Sequence, residues 1–346
     1  MKKFFKAVIV GTGRIGFSLQ FDKKREQPAS HSLALSKNSN IRLVAACDID
    51  KNKLDKWKSY YRNTNIYTDL SKMLEIEKPD IVTIAVNEES HLDTALKVIQ
   101  HRPKLIILEK PVSANLKDAK LIKISAEKYK VPVCINHERR FALDYNFAKK
   151  IISEGKLGEI SSVRASLWSG AAVYKKKVEK TGACSLIHDG THLVDIIQYL
   201  FDIELKNVNI DNIIYNKKKE VRSLNVHYKK KLKNGLNKSI FYLEFCGMKS
   251  FFGFEVEISG TKGRIIIGNG YLKYYESKIS PYYTGFYSLV KNETVKTLKK
   301  TLYFSNMITN CVNFLTGKEK LLSSLDDGIS TLRVLYNIIA KINKSK

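Results

Sequence analysis

Cysteine is scarce in this chain and is never arranged in pairs. The 346 residues include five cysteines, and no two of them form a CxxC motif. This spacing is typical of reduced, mostly buried thiols and argues against a disulfide framework. Long hydrophobic runs are missing too, so we expect no membrane-spanning helix and no membrane partner. The apolar stretch at the start is short and is interrupted by Gly11 and Gly13, which argues against a signal peptide. These features predict a cytoplasmic protein.

Acidic residues are too few to balance the basic ones. The chain has 60 lysines and arginines against 34 aspartates and glutamates, which gives a formal net charge of +26. A strongly basic chain is a first sign of nucleic-acid binding, but the lysines are scattered and no recognition motif accompanies them. Their denser runs, at 175–177, 217–219 and 229–231, fall in predicted loops or hairpin ends. We therefore expect no nucleic-acid partner and a general attraction to anionic small molecules, such as phosphorylated substrates.

The organising motif is a glycine-rich turn directly after the first apolar run. Residues 8–16 read VIVGTGRIG, so Gly11, Gly13 and Gly16 have the spacing GxGxxG. In a dinucleotide-binding βαβ unit the first glycine permits a tight turn, the second lets the backbone approach a pyrophosphate, and the third lets the next helix pack closely. That helix would then offer its N-terminal N–H groups to the phosphates. The whole turn is predicted to bind the cofactor: Gly11, Thr12, Gly13, Arg14, Ile15 and Gly16.

An acidic residue, Asp48, follows the second predicted strand at 41–47. A carboxylate at this point accepts hydrogen bonds from the adenosine ribose of NAD and repels the 2′-phosphate of NADP. Asp48 therefore favours NAD, whereas Lys51 or Lys53 reaching a 2′-phosphate would favour NADP.

The segment between the glycine turn and Asp48 is longer than the usual twenty or so residues. We place the excess at 21–30, where charges and Pro28 interrupt the helical pattern. This segment is interpreted as an insertion, either a solvated loop or a lid over the cofactor, with a helix resuming near His31.

Strands and helices alternate through the first part of the chain. Fully apolar runs predict strands at 81–85, 105–108 and 131–135. Amphipathic segments predict helices at 54–61, 70–78, 90–101 and 116–129. Ser90 is the expected N-cap of the third helix. Such alternation is typical of a parallel sheet covered by helices on both faces, with ligands at the carboxyl ends of the strands.

Polar residues follow these strand ends. Val86 and Asn87 come after one strand, Glu109 and Lys110 after the next, and the segment NHERRF at 136–141 after the last. Pro111 favours an extended backbone at Lys110, which aims the side chain in a defined direction. Beside an oxidised nicotinamide this lysine is suited to proton exchange. The alternative is a surface lysine at a strand end.

Two side chains of the NHERRF segment are candidate substrate ligands. Asn136 and Arg140 would lie at the same sheet edge, and an arginine fork such as that of Arg139 or Arg140 suits a planar carboxylate or phosphate. The alternative for these arginines is a salt bridge between domains.

Several motifs occur in the order of a known family. They are GTGRIG at 11–16, EKP at 109–111, EGKLGEI at 154–160, GACSLIHDGTHLVD at 182–195 and EISGTKGRIIIGNG at 257–270. On these the chain resembles the Gfo/Idh/MocA oxidoreductases, named after glucose-fructose oxidoreductase and inositol dehydrogenase. The resemblance implies an α/β protein with an N-terminal Rossmann domain holding NAD(P), at 1–138. It also implies a C-terminal substrate-binding and oligomerisation domain, at 139–346, with an open, mostly antiparallel sheet. The last helix is a candidate to pack back on the first domain.

The second half of the sequence fits that description. Predicted strands lie at 160–168, 208–214, 224–228, 239–245, 255–259 and 264–267, and Asn234–Gly235 is a turn signal between two of them. A helix at 326–342 ends the pattern. The tyrosine-rich stretch 271–287 is interpreted as a sheet surface, a subunit interface or a platform that stacks on a sugar ring. By the resemblance we expect a homodimer or homotetramer formed through the C-terminal sheet.

In this family, the lysine of EKP and a histidine of the second motif block handle protons. They correspond to Lys110 and His192. Many members carry an acidic residue or asparagine four positions before the histidine, where this chain has His188. That change leaves Lys110, His188 and His192 to share the catalytic roles, because Asp189 would point elsewhere on the helix. HDGTH also has the histidine spacing of a zinc site, but no third ligand stands out and no metal is expected.

His91 falls where the family commonly has a histidine near the cofactor, although a helix N-terminal histidine without a ligand is the alternative. The cofactor contacts predicted beyond the glycine turn are Asp48, Val86, Asn87, His91, Glu109 and Lys110. The predicted substrate contacts are Lys110, Asn136, Arg140, His188, Asp189 and His192.

The sequence thus predicts a cytoplasmic oxidoreductase that uses NAD in preference to NADP and acts on a hydroxyl or keto carbon. By the resemblance, its substrate is a sugar, a cyclitol or a sugar nucleotide. A non-enzymatic NAD-bound sensor and a reductase of dihydrodiol or unsaturated substrates are the alternatives.

Overall fold

A computed structural model of the chain describes residues 4–173, 185–232 and 235–344. The lysine run at 175–177, residues 182–184 of the second motif block and Asn234 lie outside these ranges. The described chain divides into two compact units, Met1–Ala142 with Leu302–Leu332 and Leu143–Thr301 with Arg333–Lys346. In the part that is described, no helix combines the length and the apolarity needed to cross a bilayer.

The first unit is built on a parallel sheet of six strands. In chain order they are β1 (Phe5–Val10), β2 (Ile41–Cys47), β3 (Asn65–Tyr67), β4 (Ile81–Ile84), β5 (Leu105–Leu108) and β6 (Val133–Ile135). The spatial order is β3-β2-β1-β4-β5-β6, and every neighbouring pair is parallel. The order therefore reverses between β1 and β4, which is the switch point where such sheets bind ligands. The predicted parallel sheet is confirmed.

Five helices connect these strands. They are α1 (His31–Lys37), α2 (Lys51–Tyr60), α3 (Leu70–Glu77), α4 (His91–Gln100) and α5 (Leu116–Tyr129). Side chains of Ser30, Asp50, Asp69 and Asn115 cap four of them by accepting backbone N–H bonds. The predicted cap by Ser90 is wrong: its side chain makes no capping bond, because residues 88–90 already turn as a 3-10 helix that runs into α4. The short strand β3 was not predicted, since three half-exposed residues carry no distinct pattern.

A segment from late in the chain completes the first unit. Helix α9 (Tyr303–Leu315) buries Phe304, Met307, Ile308 and Cys311 in the same apolar core as residues of α1, β1 and β2. Cys134 of β6 also forms an isolated antiparallel bridge with Ser324. Residues 302–332, which the sequence analysis places in the second domain, thus belong to the first compact unit.

The second unit contains a mostly antiparallel sheet of eight strands. They are β7 (Ile160–Trp168), β8 (Asn209–Tyr215), β9 (Val221–Lys230), β10 (Gly235–Cys246), β11 (Gly253–Gly260), β12 (Gly263–Gly268), β13 (Tyr271–Ile279) and β14 (Tyr287–Lys291). Their order is β14-β13-β12-β11-β7-β10-β9-β8, and only the β7–β10 pair among these is parallel. Burial alternates along β11, so one face of that strand packs inward. The expected C-terminal fold class is confirmed.

Helices α6 (Leu143–Ser153), α7 (Ser185–His188) and α8 (Gly190–Phe201) accompany this sheet. The final helix, α10 (Leu325–Lys344), carries residues of both units. The tyrosine-rich stretch 271–287 spans β13, the following turn and the start of β14, which agrees with its interpretation as sheet.

Candidate cofactor cleft and catalytic residues

The three glycines of the turn meet different surroundings. Gly11 has φ +94°, and a Cβ there would lie 2.5 Å from the carbonyl oxygen of Ala85. A Cβ at Gly16 would lie 2.0 Å from the carbonyl oxygen of Gly11. Gly13 has no described atom within 4 Å of a Cβ position, so this side of the turn is open. The middle glycine is therefore the open position of the turn, and the approach of a pyrophosphate to it stays a prediction.

The segment after the turn differs from the prediction. The chain makes one tight turn, in which the N–H of Phe17 donates to Gly13 O, and continues as a 3-10 helix at Ser18–Phe21. The regular helix α1 begins only at His31, beyond the insertion at 21–30. The first N–H groups of α1 are used by the glycine turn itself, because His31 N donates to Ile15 O at 3.0 Å and Ser32 N to Gly16 O at 3.0 Å. An open helix N-terminus aimed at the phosphates is thus not formed there.

Asp48 is held against the glycine turn. Its Oδ2 accepts bonds from Thr12 N at 2.7 Å and from Thr12 Oγ1 at 3.0 Å, and its Oδ1 accepts from Asp50 N at 3.0 Å. A carboxylate has about four acceptor positions, and these three bonds leave about one of them. Lys53 lies 3.6 Å from Asp50 through its Nζ atom.

A cleft of about 600 Å³ lies at the switch point of the sheet. Predicted cofactor residues that line it are Gly11, Gly13, Asp48, Val86 and Asn87. Two further sets of lining residues were not predicted: Thr68, Asp69, Leu70 and Ser71 after β3, and Ser90, Asp93, Thr94 and Lys97 in and just before α4. The first set follows a strand too short to predict. The second set lies on the helix that follows Asn87 and the 3-10 turn at 88–90.

His91 joins the ends of β4 and β5. The ring is buried, with Nε2 3.1 Å from Val86 O and Nδ1 2.9 Å from Pro111 O. Burial lowers the pKa of His91, although both backbone contacts act in the opposite direction. His91 therefore ties the loop after β4, which lines the cleft, to the loop after β5, and a direct contact with the cofactor stays a prediction.

Glu109 is the centre of a buried polar cluster at the end of β5. Its Oε1 lies 2.6 Å from His31 Nε2 and 2.5 Å from Asn136 Nδ2, and its side chain is buried. Burial raises the pKa of this carboxyl group, but the hydrogen bond and electrostatic attraction of His31, the bond from Asn136 and the attraction of Lys110 outweigh it and leave the pKa below its ordinary value. Glu109 is therefore a carboxylate at neutral pH. No role for His31 was predicted, because nothing in the local sequence pattern links it to a residue 78 positions away.

Arg140 is buried and bonded within the first unit. Its Nη1 donates to Leu322 O at 3.0 Å and lies 3.1 Å from Asp327 Oδ1. Arg139 pairs with Glu138 at 3.0 Å. The ion pair of Arg140 corresponds to the structural alternative of the sequence analysis, but it forms inside one unit. Substrate binding by Arg140 stays a prediction.

The histidine motif HDGTH of the second unit lies across a break between two helices, although its spacing predicts one helix. Helix α7 ends at His188 and α8 begins at Gly190, so His188 and His192 do not share one regular helix. The N–H of His192 donates to Asp189 O at 3.1 Å. A Cβ at Gly190 would lie 3.0 Å from the Phe245 ring, so the glycine lets α8 approach β10 closely. His188, Asp189 and His192 are each half-buried.

Within the described ranges, no three or more His, Cys, Asp or Glu side chains are grouped so that they could hold a metal ion.

Two models of protein families match the chain. The oxidoreductase family model with an NAD-binding Rossmann fold matches residues 5–137, and the model of its C-terminal alpha/beta domain matches residues 149–346. The chain belongs to the Gfo/Idh/MocA family. The predicted NAD(P)-dependent oxidoreductase of this family is therefore confirmed.

Known relatives are similar to part of the chain, and solved structures share its fold. Glucose-6-phosphate 3-dehydrogenase of Bacillus subtilis strain 168 is 25% identical over 67% of this chain and 69% of its own length. D-glucoside 3-dehydrogenase of Escherichia coli strain K12 is 25% identical over 59% of this chain and 56% of its own length. The WlbA dehydrogenase of Bordetella pertussis, solved with NADH and UDP-GlcNAcA, shares the fold with a TM-score of 0.76 at 17% identity over 99% of this chain and 97% of its own. An oxidoreductase of Desulfitobacterium hafniense gives a TM-score of 0.82 at 17% identity, over 100% and 97% of the two chains.

Proposed function

We propose that this oxidoreductase transfers a hydride between NAD and a hydroxyl or keto carbon of a sugar, a cyclitol or a sugar nucleotide. The names of the two 3-dehydrogenases and the nucleotide sugar bound to WlbA support this substrate class. The excess of basic residues supports an anionic substrate, such as a sugar phosphate. The observation that carries the proposal is Lys110, placed after β5 and next to the buried carboxylate of Glu109, in the unit that holds the cofactor cleft.

The cofactor preference rests on Asp48. Its carboxylate lines the cleft and is oriented by Thr12 and Asp50, where a negative charge suits ribose hydroxyls and opposes a 2′-phosphate. Lys53 also lines the cleft, but its ammonium lies near Asp50. We therefore propose NAD in preference to NADP, held by the glycine turn, Asp48, Val86 and Asn87. When bound, its nicotinamide accepts or supplies the hydride.

The proton steps are assigned to Lys110 and His192. In the oxidative direction either His192 takes the proton of the substrate hydroxyl while the Lys110 ammonium stabilises the developing negative charge on that oxygen, or Lys110 takes the proton as a neutral amine and becomes the ammonium. In the reductive direction the same groups return the proton. His188 supplies a second imidazole where many family members have an acidic residue, and Asn136 and Asp189 are proposed as substrate contacts.

Cellular location and assembly belong to the same proposal. The isolated cysteines support a cytoplasmic enzyme, because those described are buried and free. Exposed aromatic side chains at the β13–β14 turn, including Tyr282, Tyr283 and Phe286, support a subunit interface on the C-terminal sheet. We propose a homodimer or homotetramer.

The test is NADH formation or consumption with a panel of sugars, sugar phosphates, cyclitols, nucleotide sugars and a dihydrodiol. Lys110→Ala should lower turnover at least a hundredfold, because general acid–base catalysis contributes roughly 10²–10⁴, while NADH affinity stays within about threefold. Lys104→Ala is the matched control, since Lys104 precedes the opposite end of β5 and pairs with Asp80.

Equal turnover in native protein and Lys110→Ala would remove Lys110 from the mechanism. If the native protein turns over no compound of the panel but one of these compounds alters its NADH affinity, the result would instead indicate an NAD-bound sensor.

A further inference from the structure

The candidate cofactor cleft carries positive charge close in sequence to the carboxylate that is proposed to select NAD. Two lysines line the cleft, Lys53 on α2 and Lys97 on α4. Of these, Lys53 follows soon after Asp48, which lines the same cleft. A lysine ammonium is a compact charge on a flexible stem and a common phosphate ligand. Lys53 is therefore the group that would favour a cofactor with a 2′-phosphate, against the effect of Asp48.

Asp50 lies between these two residues in the chain and contacts both. Its backbone N–H donates to Asp48 Oδ1 at 3.0 Å. Its own Oδ1 accepts from Asn52 N at 3.0 Å and from Lys53 N at 3.3 Å, so Asp50 is the N-cap of α2. The other carboxylate oxygen, Oδ2, lies 3.6 Å from Lys53 Nζ. The cap fixes the carboxylate in place, and the long lysine side chain is the partner that turns to meet it.

The pair of Lys53 with Asp50 is exposed and therefore weak. Among the described residues, Asp50 is the carboxylate with which Lys53 pairs, and the two side chains are 52% and 40% exposed. Such a pair favours the held position of the ammonium by roughly two- to fivefold. This preference bears on selectivity, because a 2′-phosphate would have to compete with Asp50 for the same ammonium.

We propose that Asp50 is a positioning residue for cofactor selectivity, because it holds the Lys53 ammonium and keeps this cation from compensating the charge of a 2′-phosphate. The inference rests on the proposed preference for NAD through Asp48. Asp48 repels the 2′-phosphate, and Asp50 withholds a cation of the cleft that would offset this repulsion. With Asp50 uncharged, Lys53 binds the 2′-phosphate and NADPH binds more tightly. NADH has no such group and serves as the internal reference.

Three substitutions isolate the restraint of the lysine. Asp50→Asn removes the charge but keeps the backbone N–H that donates to Asp48, and asparagine is as good an N-cap as aspartate. Lys53→Met removes the ammonium and keeps a long, flexible side chain. The matched control is Lys56→Met, because Lys56 is also an exposed lysine of α2 but is not among the described residues that line the cleft.

The measurement is the ratio of the dissociation constants of NADPH and NADH, obtained from titrations of their fluorescence. In Asp50→Asn we expect this ratio to fall at least threefold through tighter binding of NADPH. When Lys53→Met is present in both proteins, Asp50→Asn should change the ratio less than twofold. When Lys56→Met is present instead, the threefold fall should remain.

These titrations need no substrate, so they separate the inference from the proposed function. If the native protein turns over no compound of the panel, a fall of the ratio that depends on Lys53 still supports the role of Asp50. If the native protein binds NADPH as tightly as NADH, the proposed preference for NAD fails, whereas the same dependence on Lys53 still supports the restraint of the lysine by Asp50.

Three results would overturn the inference. One is an unchanged ratio in Asp50→Asn. Another is an equal fall of the ratio with and without Lys53, which would assign the effect to direct repulsion between Asp50 and the 2′-phosphate. The third is a fall that Lys56→Met also abolishes, which would assign the effect to the net charge of α2.

Discussion

Alanine at Gly11 and at Gly13 should have opposite consequences, although the two glycines lie two positions apart. At Gly11 an alanine must adopt φ +94°, and its Cβ would lie 2.5 Å from Ala85 O and 2.7 Å from Ala85 C. The left-handed conformation costs about 1–2 kcal/mol, and crowding against packed neighbours costs about 1–3 kcal/mol. Gly11→Ala should therefore lower the free energy of unfolding of the first unit by about 2–5 kcal/mol.

At Gly13 the added methyl group meets no described atom within 4 Å. Replacing a compatible glycine by alanine changes stability little, or raises it by about 0.4–1 kcal/mol through the unfolded chain. The methyl group nevertheless occupies the space through which the turn approaches a pyrophosphate. Gly13→Ala should therefore weaken NADH binding at least tenfold at unchanged stability.

Urea unfolding followed by circular dichroism measures the first effect, and titration of NADH fluorescence measures the second. Each variant serves as the control of the other. A Gly11→Ala protein within 1 kcal/mol of the native stability would refute the reasoning about the turn. A Gly13→Ala protein with native NADH affinity would refute the assignment of the pyrophosphate position.

Two further predictions concern carboxylates of the first unit. Asp48→Asn keeps an acceptor for Thr12 N but removes the negative charge, so the preference for NAD over NADP in binding titrations should fall at least tenfold; an unchanged ratio would show that Asp48 does not set it. The pKa of Glu109 is below its ordinary value in the folded protein, so its stabilising contribution is complete above the unfolded-state pKa of about 4.3 and is lost as the pH falls below it. Between pH 5 and the lowest pH at which the protein still folds, the urea midpoint of the native protein should hence decline more than that of Glu109→Gln. Parallel pH profiles of the two proteins would contradict this direction of the effect.

Local sequence patterns were sufficient to predict much of the secondary structure of the first unit. The β2 and β5 strands and the α5 helix have the predicted bounds, at 41–47, 105–108 and 116–129. Apolar runs, glycine spacing and capping side chains act between residues close in sequence, so they can be recognised without a structure. The same holds for Asp48, which follows its strand directly.

The histidine motif shows where a local pattern misleads. The four-residue spacing of His188 and His192 predicts one helical face, yet the helix breaks at Asp189. The close packing of Gly190 on Phe245 accompanies this break, and a partner 55 positions further along the chain is not part of the motif.

By itself, the sequence determined the alternating units, the glycine turn, the acidic residue after β2 and the family. Only the tertiary structure decided that α9 completes the first unit, that Arg140 pairs with Asp327, and that His31 binds Glu109. The physical reason is the range of the interactions. Strand and helix patterns repeat every two to four residues, whereas these contacts join side chains from distant parts of the chain and depend on how its layers pack.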